Sequence, residues 1–272
     1  MSELGCSTIS FRHRTLSEAL AAISRLGMTG VDLGGLPGVC EHFPVERGRD
    51  VELAEVVEAV ETFRVEVWAL NVDPGALNDP GLDERTLVSR GHELAAHARR
   101  LGAALIVPCG APARTPFVDE AADLARTARG LRVLSSVAAG HGVRLLVEAP
   151  HHHRFCHGLE RLRALLELVP ADVAGLVYDV SHVVAGGVDE VALAAELAER
   201  IEHVHLRDAV PGEINRSIGR GAADFAGVVD ALRERGYAGR YVLELETHDV
   251  AEHDREAVAE SSRDAISALL QA

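Results

Sequence analysis

Four short segments of this chain end in groups that apolar packing does not explain. Arg144-Leu-Leu-Val-Glu-Ala-Pro carries Glu148, and Gly175-Leu-Val-Tyr-Asp-Val-Ser-His carries Asp179 and His182. His203-Val-His-Leu-Arg-Asp adds His205 and Asp208, and Tyr241-Val-Leu-Glu-Leu-Glu adds Glu244 and Glu246. A carboxylate at the end of an apolar strand loses hydration and needs a cation or hydrogen bonds in exchange. One such residue means little. Four successive segments ending in acid or imidazole share a single solution, a central divalent cation.

Three carboxylates with one imidazole make a mostly hard donor set. It suits one manganese ion first, with magnesium, cobalt or zinc also accommodated. The expected ligands are Glu148, Asp179, His205 and Glu244. Glu244 and Glu246 share a strand face, because side chains alternate with period two, so parity leaves both open. His203 is expected to pack or to face the helices. Asp208 is expected either to touch the substrate or to cap the turn after its strand.

The loop beyond Glu148 is rich in imidazole: His151, His152 and His153 precede Arg154 and His157. His151 and His153 are expected to contact substrate, or to add an acid or base, unless the loop is simply polar. Gly219-Arg220-Gly221 could hold an anion or form a plain turn into the next helix. Trp68 and Asn71 end a strand and are expected in the pocket wall or, for Trp68, in the core. Cys6, Cys40, Cys109 and Cys156 form no CxxC pair and are expected to be reduced packing residues.

These groups need a scaffold that brings strand ends together. Strand patterns fall near Leu4–Ser10, Gly30–Leu33, Glu66–Val72, Ala104–Pro108, Arg144–Glu148, Ala174–Asp179, Ile201–Leu206 and Arg240–Glu246. Between them lie helical patterns, the first at Leu16–Leu26 with Thr15 and Glu18 at capping-box spacing. Gly27, Gly102, Gly140 with Gly142, and Gly236 stop helices before strands. Strict alternation implies parallel pairing through right-handed crossovers. The 272 residues allow about 34 per unit over eight units. The reading is α/β, a single (β/α)8 TIM barrel forming one domain over residues 1–272. An open doubly wound sheet is weaker, because no strand leads into a GxGxxG turn.

The net charge of −15, from 42 acidic and 27 basic residues, disfavours nucleic acid as a partner. No segment has the length of apolar residues that a membrane span requires, and no leader pattern opens the chain, so a cytoplasmic location is expected.

The strings LVEAP, YDVSH, HVHLRD and GYAGRYVLELE, in this order, resemble successive signatures of the sugar phosphate isomerase/epimerase family, the xylose-isomerase-like barrels. TLSEALAAISRLGMTGVDL resembles that family's opening strand-helix-strand, and the likeness runs from about Gly5 to Glu246. The resemblance implies Glu148, Asp179, His205 and Glu244 as metal ligands and so separates Glu244 from Glu246. It implies that Glu148 and Glu244 double as catalytic acid and base, and that His182 and Arg216 contact the substrate. The histidine run after Glu148 departs from the family pattern, where Asn or a neutral polar residue is common.

The expected activity is isomerisation or epimerisation of a keto sugar or sugar phosphate, by proton transfer through an enediolate. An inosose-type dehydratase or keto-sugar lyase is the alternative on the same site. A DNA-repair endonuclease or a non-catalytic sugar-binding subunit ranks lower. The expected partner is a small sugar, and a homodimer or homotetramer is expected by analogy.

Overall fold

The strands are buried along nearly their whole length, so they must lie between helices and one another. The computed structural model describes residues 3–45 and 50–272. Its first half runs β1 (Glu3–Ser7), α1 (Leu16–Arg25), β2 (Gly30–Leu36), β3 (Cys40–Glu41), α2 (Asp50–Phe63), β4 (Glu66–Val72), α3 (Glu84–Leu101), β5 (Ala104–Pro108) and α4 (Glu120–Gly140). The second half runs β6 (Leu145–Glu148), α5 (Gly158–Leu168), β7 (Gly175–Asp179), α6 (Val180–Ala185), α7 (Glu190–Leu197), β8 (Ile201–Leu206), β9 (Asp208–Val210), β10 (Glu213–Arg216), α8 (Phe225–Glu234), β11 (Arg240–Leu243) and α9 (Arg255–Gln271).

Strands β1, β2, β4, β5, β6, β7, β8 and β11 pair in parallel, and β1 pairs with both β2 and β11. The ring is closed. It is a single (β/α)8 TIM barrel, as the alternation of patterns predicts. Met1 and Ser2, inside the expected domain boundary, lie outside the described residues.

Several local devices act as read from the sequence. Thr15 and Glu18 form a reciprocal capping box at α1. Gly102 closes α3 at φ 69°, a left-handed conformation that costs glycine nothing.

Other features correct the reading. β1 stops at Ser7, where a 3-10 turn over Thr8–Phe11 begins, and β11 stops at Leu243 rather than Glu246. The short helix α6 and the β9–β10 hairpin are additions. Trp68 is not in the pocket wall. A bulge pairs Val67 with Val31 and Ala69 with Asp32, leaving Trp68 as the extra residue. Its indole lies over the strand starts at Gly5 and Gly30, where an added Cβ would come within 2.5 and 2.0 Å of the ring. Trp68 therefore fills the end of the barrel opposite the strand-end carboxylates.

Candidate metal centre

The C-terminal ends of β6, β7 and β8, with the residue after β11, converge on one point. Ligand-type atoms of Glu148, Asp179, His205 and Glu244 all lie within 4.8 Å of one another, and all four residues are buried. Register explains the convergence: Asp179 is level with His205 across β7–β8, and Val242 with His205 across β11–β8. Glu244 continues that ladder, donating its amide to the Leu206 carbonyl at 3.1 Å.

His205 is the hub. Its Nδ1 lies 3.1 Å from Glu148 Oε1 and 3.5 Å from Glu244 Oε2. Its Nε2 lies 3.0 Å from Asp32 Oδ2, and the same oxygen meets His203 Nε2 at 2.8 Å. His203 thus faces the barrel interior and not the helices. Period-two alternation puts both histidines of His-x-His on one face, toward the carboxylate from β2.

Burial works against charge on His205, yet Glu244 and the bonds to Asp32 and Glu148 hold its imidazolium well above the ordinary value. Burial would likewise raise Asp32, but the two histidines hold it well below the usual carboxylate range. Burial pushes the Glu148 carboxyl up, and repulsion from Glu244 adds to it against the opposing bond from His205.

Asp179 has two tasks. Its Oδ1 caps α6, accepting from the Ser181 and His182 amides at 2.7 and 3.4 Å, while Oδ2 accepts from Arg207 at 2.8 Å. That cap turns the chain so that His182 returns over the site. Arg207, which sequence reasoning missed, is buried and also reaches Ser181, Asn215 and Glu246. The signal was present inside His-Leu-Arg-Asp, but a strand-end arginine reads as an exposed residue.

The cavity above this cluster has a volume of about 370 Å³. Asn71, Arg154, His151, His153 and His182 line it, and Asn71 Nδ2 donates to Glu244 Oε1 at 3.3 Å. The His151 and His182 rings lie against each other, tilted by 33° with centroids 3.8 Å apart, and His151 Nε2 is 3.7 Å from Glu148 Oε2. Burial, then the neighbouring cations, pushes both imidazoles well below their ordinary values. His152 turns away to Arg114, 2.8 Å from its Nε2. Glu246 sits at the rim between Arg12 at 2.9 Å and Arg207 at 3.3 Å.

Two expected substrate contacts need correction. Asp208 is a loop anchor: its carboxylate accepts from the amides of Ala209, Gly219, Gly221 and Ala223 at 2.8 to 3.2 Å. The turn-capping alternative holds. Arg216 ends the β9–β10 hairpin, pairs with Glu213 and does not line the cavity. The thiols look inert, since burial pushes Cys6 up to about 12 and Cys40 to about 11.

The donor set fits a divalent cation. Of its three buried carboxylates, Asp179 and Glu244 share a single arginine, and Glu148 meets only imidazoles among its ionic partners. Among the described residues no helix is long and apolar enough to cross a membrane.

Comparison with known proteins agrees with this architecture. An inosose dehydratase from Geobacillus thermodenitrificans is 30% identical over 151 residues, 48% of this chain and 49% of that protein. The chain thus matches about half the length of that relative. The IOLI protein, solved with a zinc atom, superposes with TM-score 0.78 at 17% identity over 98% of this chain and 99% of that one. An L-ribulose 3-epimerase superposes with TM-score 0.76 at 20% identity over 100% of this chain and 95% of its own. At such identities the superpositions speak for the fold. The sequence itself matches a family description over residues 20–269, nearly its whole length, and on that match the chain belongs to the xylose isomerase-like TIM barrel family.

Proposed function

We propose that this protein is a divalent-metal-dependent isomerase or epimerase of a keto sugar, working by proton transfer next to the carbonyl. The observation that carries the reading is the pair of buried glutamates, Glu148 and Glu244, flanking His205 Nδ1 at 3.1 and 3.5 Å. Glu148, Asp179, His205 and Glu244 would hold the cation, with manganese, cobalt, magnesium or zinc suited to the set. When bound, such a cation supplies Lewis-acid polarisation of neighbouring carbonyl and hydroxyl oxygens.

The chain's own groups do the rest. One glutamate removes the proton beside the carbonyl, and the other returns a proton from the opposite side. Return to the same carbon is epimerisation; return to the neighbouring carbon is aldose–ketose isomerisation. Asp32 holds the His205 ring in place, and Arg207 offsets the charge of Asp179 and Glu244. Asn71 and His153 line the cavity where sugar hydroxyls would lie. The name of one structural neighbour, an L-ribulose 3-epimerase, supports the same class.

A second reading has its own observation. His151 stands beside Glu148, tilted against His182, where its neutral ring could hydrogen-bond a departing hydroxyl while the raised Glu148 carboxyl protonates it. Proton removal beside the carbonyl followed by loss of that hydroxyl as water is a dehydration, the reaction named for the Geobacillus relative.

The test is incubation of metal-loaded enzyme with keto sugars and inososes in heavy water. The expected result is solvent deuterium at the carbon beside the carbonyl, abolished by Glu148→Gln and by Glu244→Gln. Loss of water from the substrate would instead favour the dehydratase. No exchange and no elimination with any substrate, while metal is bound, would sink both readings.

A further inference from the structure

Resting on the keto-sugar reading, we propose that the cavity takes an electrically neutral polyhydroxy ketone and discriminates against its phosphate ester. A phosphate dianion needs guanidinium, ammonium or converging backbone amides whose capacity is still available. The chain contains no lysine, so arginine and histidine are its only cationic side chains.

Both arginines lining the cavity are already neutralised. Arg154 lies 2.8 Å from Asp73 Oδ2 and also donates to the Gly110 carbonyl at 3.1 Å. Arg207 is spread over Asp179, Glu246, Asn215 and Ser181. Arg12, behind the rim, meets Glu246 at 2.9 Å. Four carboxylates, Asp73, Glu148, Glu244 and Glu246, line the same cavity. One divalent cation brings the formal charge of these carboxylates and guanidiniums to neutral, with no guanidinium in excess for an anionic ligand.

The backbone cradle is also taken. The Gly219 and Gly221 amides, outside the cavity lining, converge at 2.8 and 2.9 Å on Asp208 Oδ2 and so have no capacity left for an external anion. Ser217 donates both its amide and its hydroxyl to Asp249. A phosphate ester would therefore lose its hydration without gaining an available counter-charge, a penalty that a neutral sugar escapes. Asp73 thus acts as a specificity-determining carboxylate, silencing the one rim guanidinium that could meet a phosphate.

The test compares deuterium exchange on matched pairs, ketohexoses such as fructose against their own 6-phosphates, using the metal-loaded full chain. The expected result is kcat/KM at least about 10-fold higher for the neutral member of each reactive pair. Asp73→Asn, which releases Arg154, should narrow that ratio by about 10-fold. Equal or faster exchange on the esters would overturn the proposal, as would a ratio unmoved by Asp73→Asn. Exchange on neither member, with metal bound and the fold intact, would instead overturn the proton-transfer reading and this inference with it.

Discussion

Asp32 Oδ2 is bonded to His205 Nε2 at 3.0 Å, on the side of the ring away from Glu148 and Glu244. A carboxylate at this position keeps the Nε2 proton in place and directs the Nδ1 lone pair at the candidate cation. Asp32 is a positioning residue. Asp32→Asn is expected to weaken metal binding by about 10- to 100-fold. Titration with manganese or cobalt, read by calorimetry, checks it; unchanged affinity would mean that His205 orients itself.

Metal uptake should release a proton. In the metal-free protein the His205 imidazolium lies well above its ordinary value of about 6.5, but a ligating ring must be neutral. Calorimetry at pH 7 in buffers of differing ionisation enthalpy should therefore report net proton release. Identical apparent enthalpies in all buffers would contradict it.

The same shift sets a pH dependence for stability. A group whose folded value is raised stabilises the fold fully below its unfolded value and loses that contribution as pH rises through the folded one. The raised Glu148 acts in the same direction. Asp32, held low, contributes throughout the neutral range and is lost only in strong acid. His151 and His182, held low, act the other way, but only up to about their unfolded value of 6.5. Metal-free protein should thus melt at progressively lower temperature from about pH 7.5 to 9, and saturating metal should flatten the trend. A metal-free melting temperature that rises over this range would be the contrary result.

Arg207 is the counter-charge that holds the site together without metal. Arg207→Met leaves the buried Asp179 without its guanidinium and Glu244 with the His205 imidazolium alone. The expected loss is about 3–5 kcal/mol in the metal-free protein, and less when metal is present. Denaturant unfolding with and without metal measures both, and equal losses would show that the arginine and the cation act independently.

Asp208 and Arg216 separate structure from chemistry. Asp208→Ala removes four charge-assisted bonds to backbone amides and should cost about 2–3 kcal/mol or more, with metal affinity unchanged within about 3-fold. Arg216→Ala should leave kcat/KM within about 3-fold, because the side chain pairs with Glu213 at the surface. A large kinetic loss in Arg216→Ala would restore the substrate contact expected from resemblance.

The barrel and the four converging strand ends were legible because both rest on periodicity and on acids placed where apolar packing cannot satisfy them. Asp32 was not. In Gly-Val-Asp-Leu it looks like any polar residue in a short strand, and its meaning depends on His203 and His205, 171 and 173 residues away. Arg207 escaped because the three-dimensional partners that neutralise it come from β7, β10 and the segment after β11. Trp68 resolved to its core alternative, turned by a bulge toward Gly5 and Gly30. Asp208 resolved to its bland alternative once the loop amides that it gathers were in view.

Metal stoichiometry of the purified protein tests the central claim most directly, with wild type measured beside Glu148→Gln and His205→Ala. One divalent cation per chain, lost or weakened at least about 100-fold in both variants, is the predicted result. A well-folded wild-type protein that binds no cation on titration, or one whose cation survives both substitutions, would contradict the account.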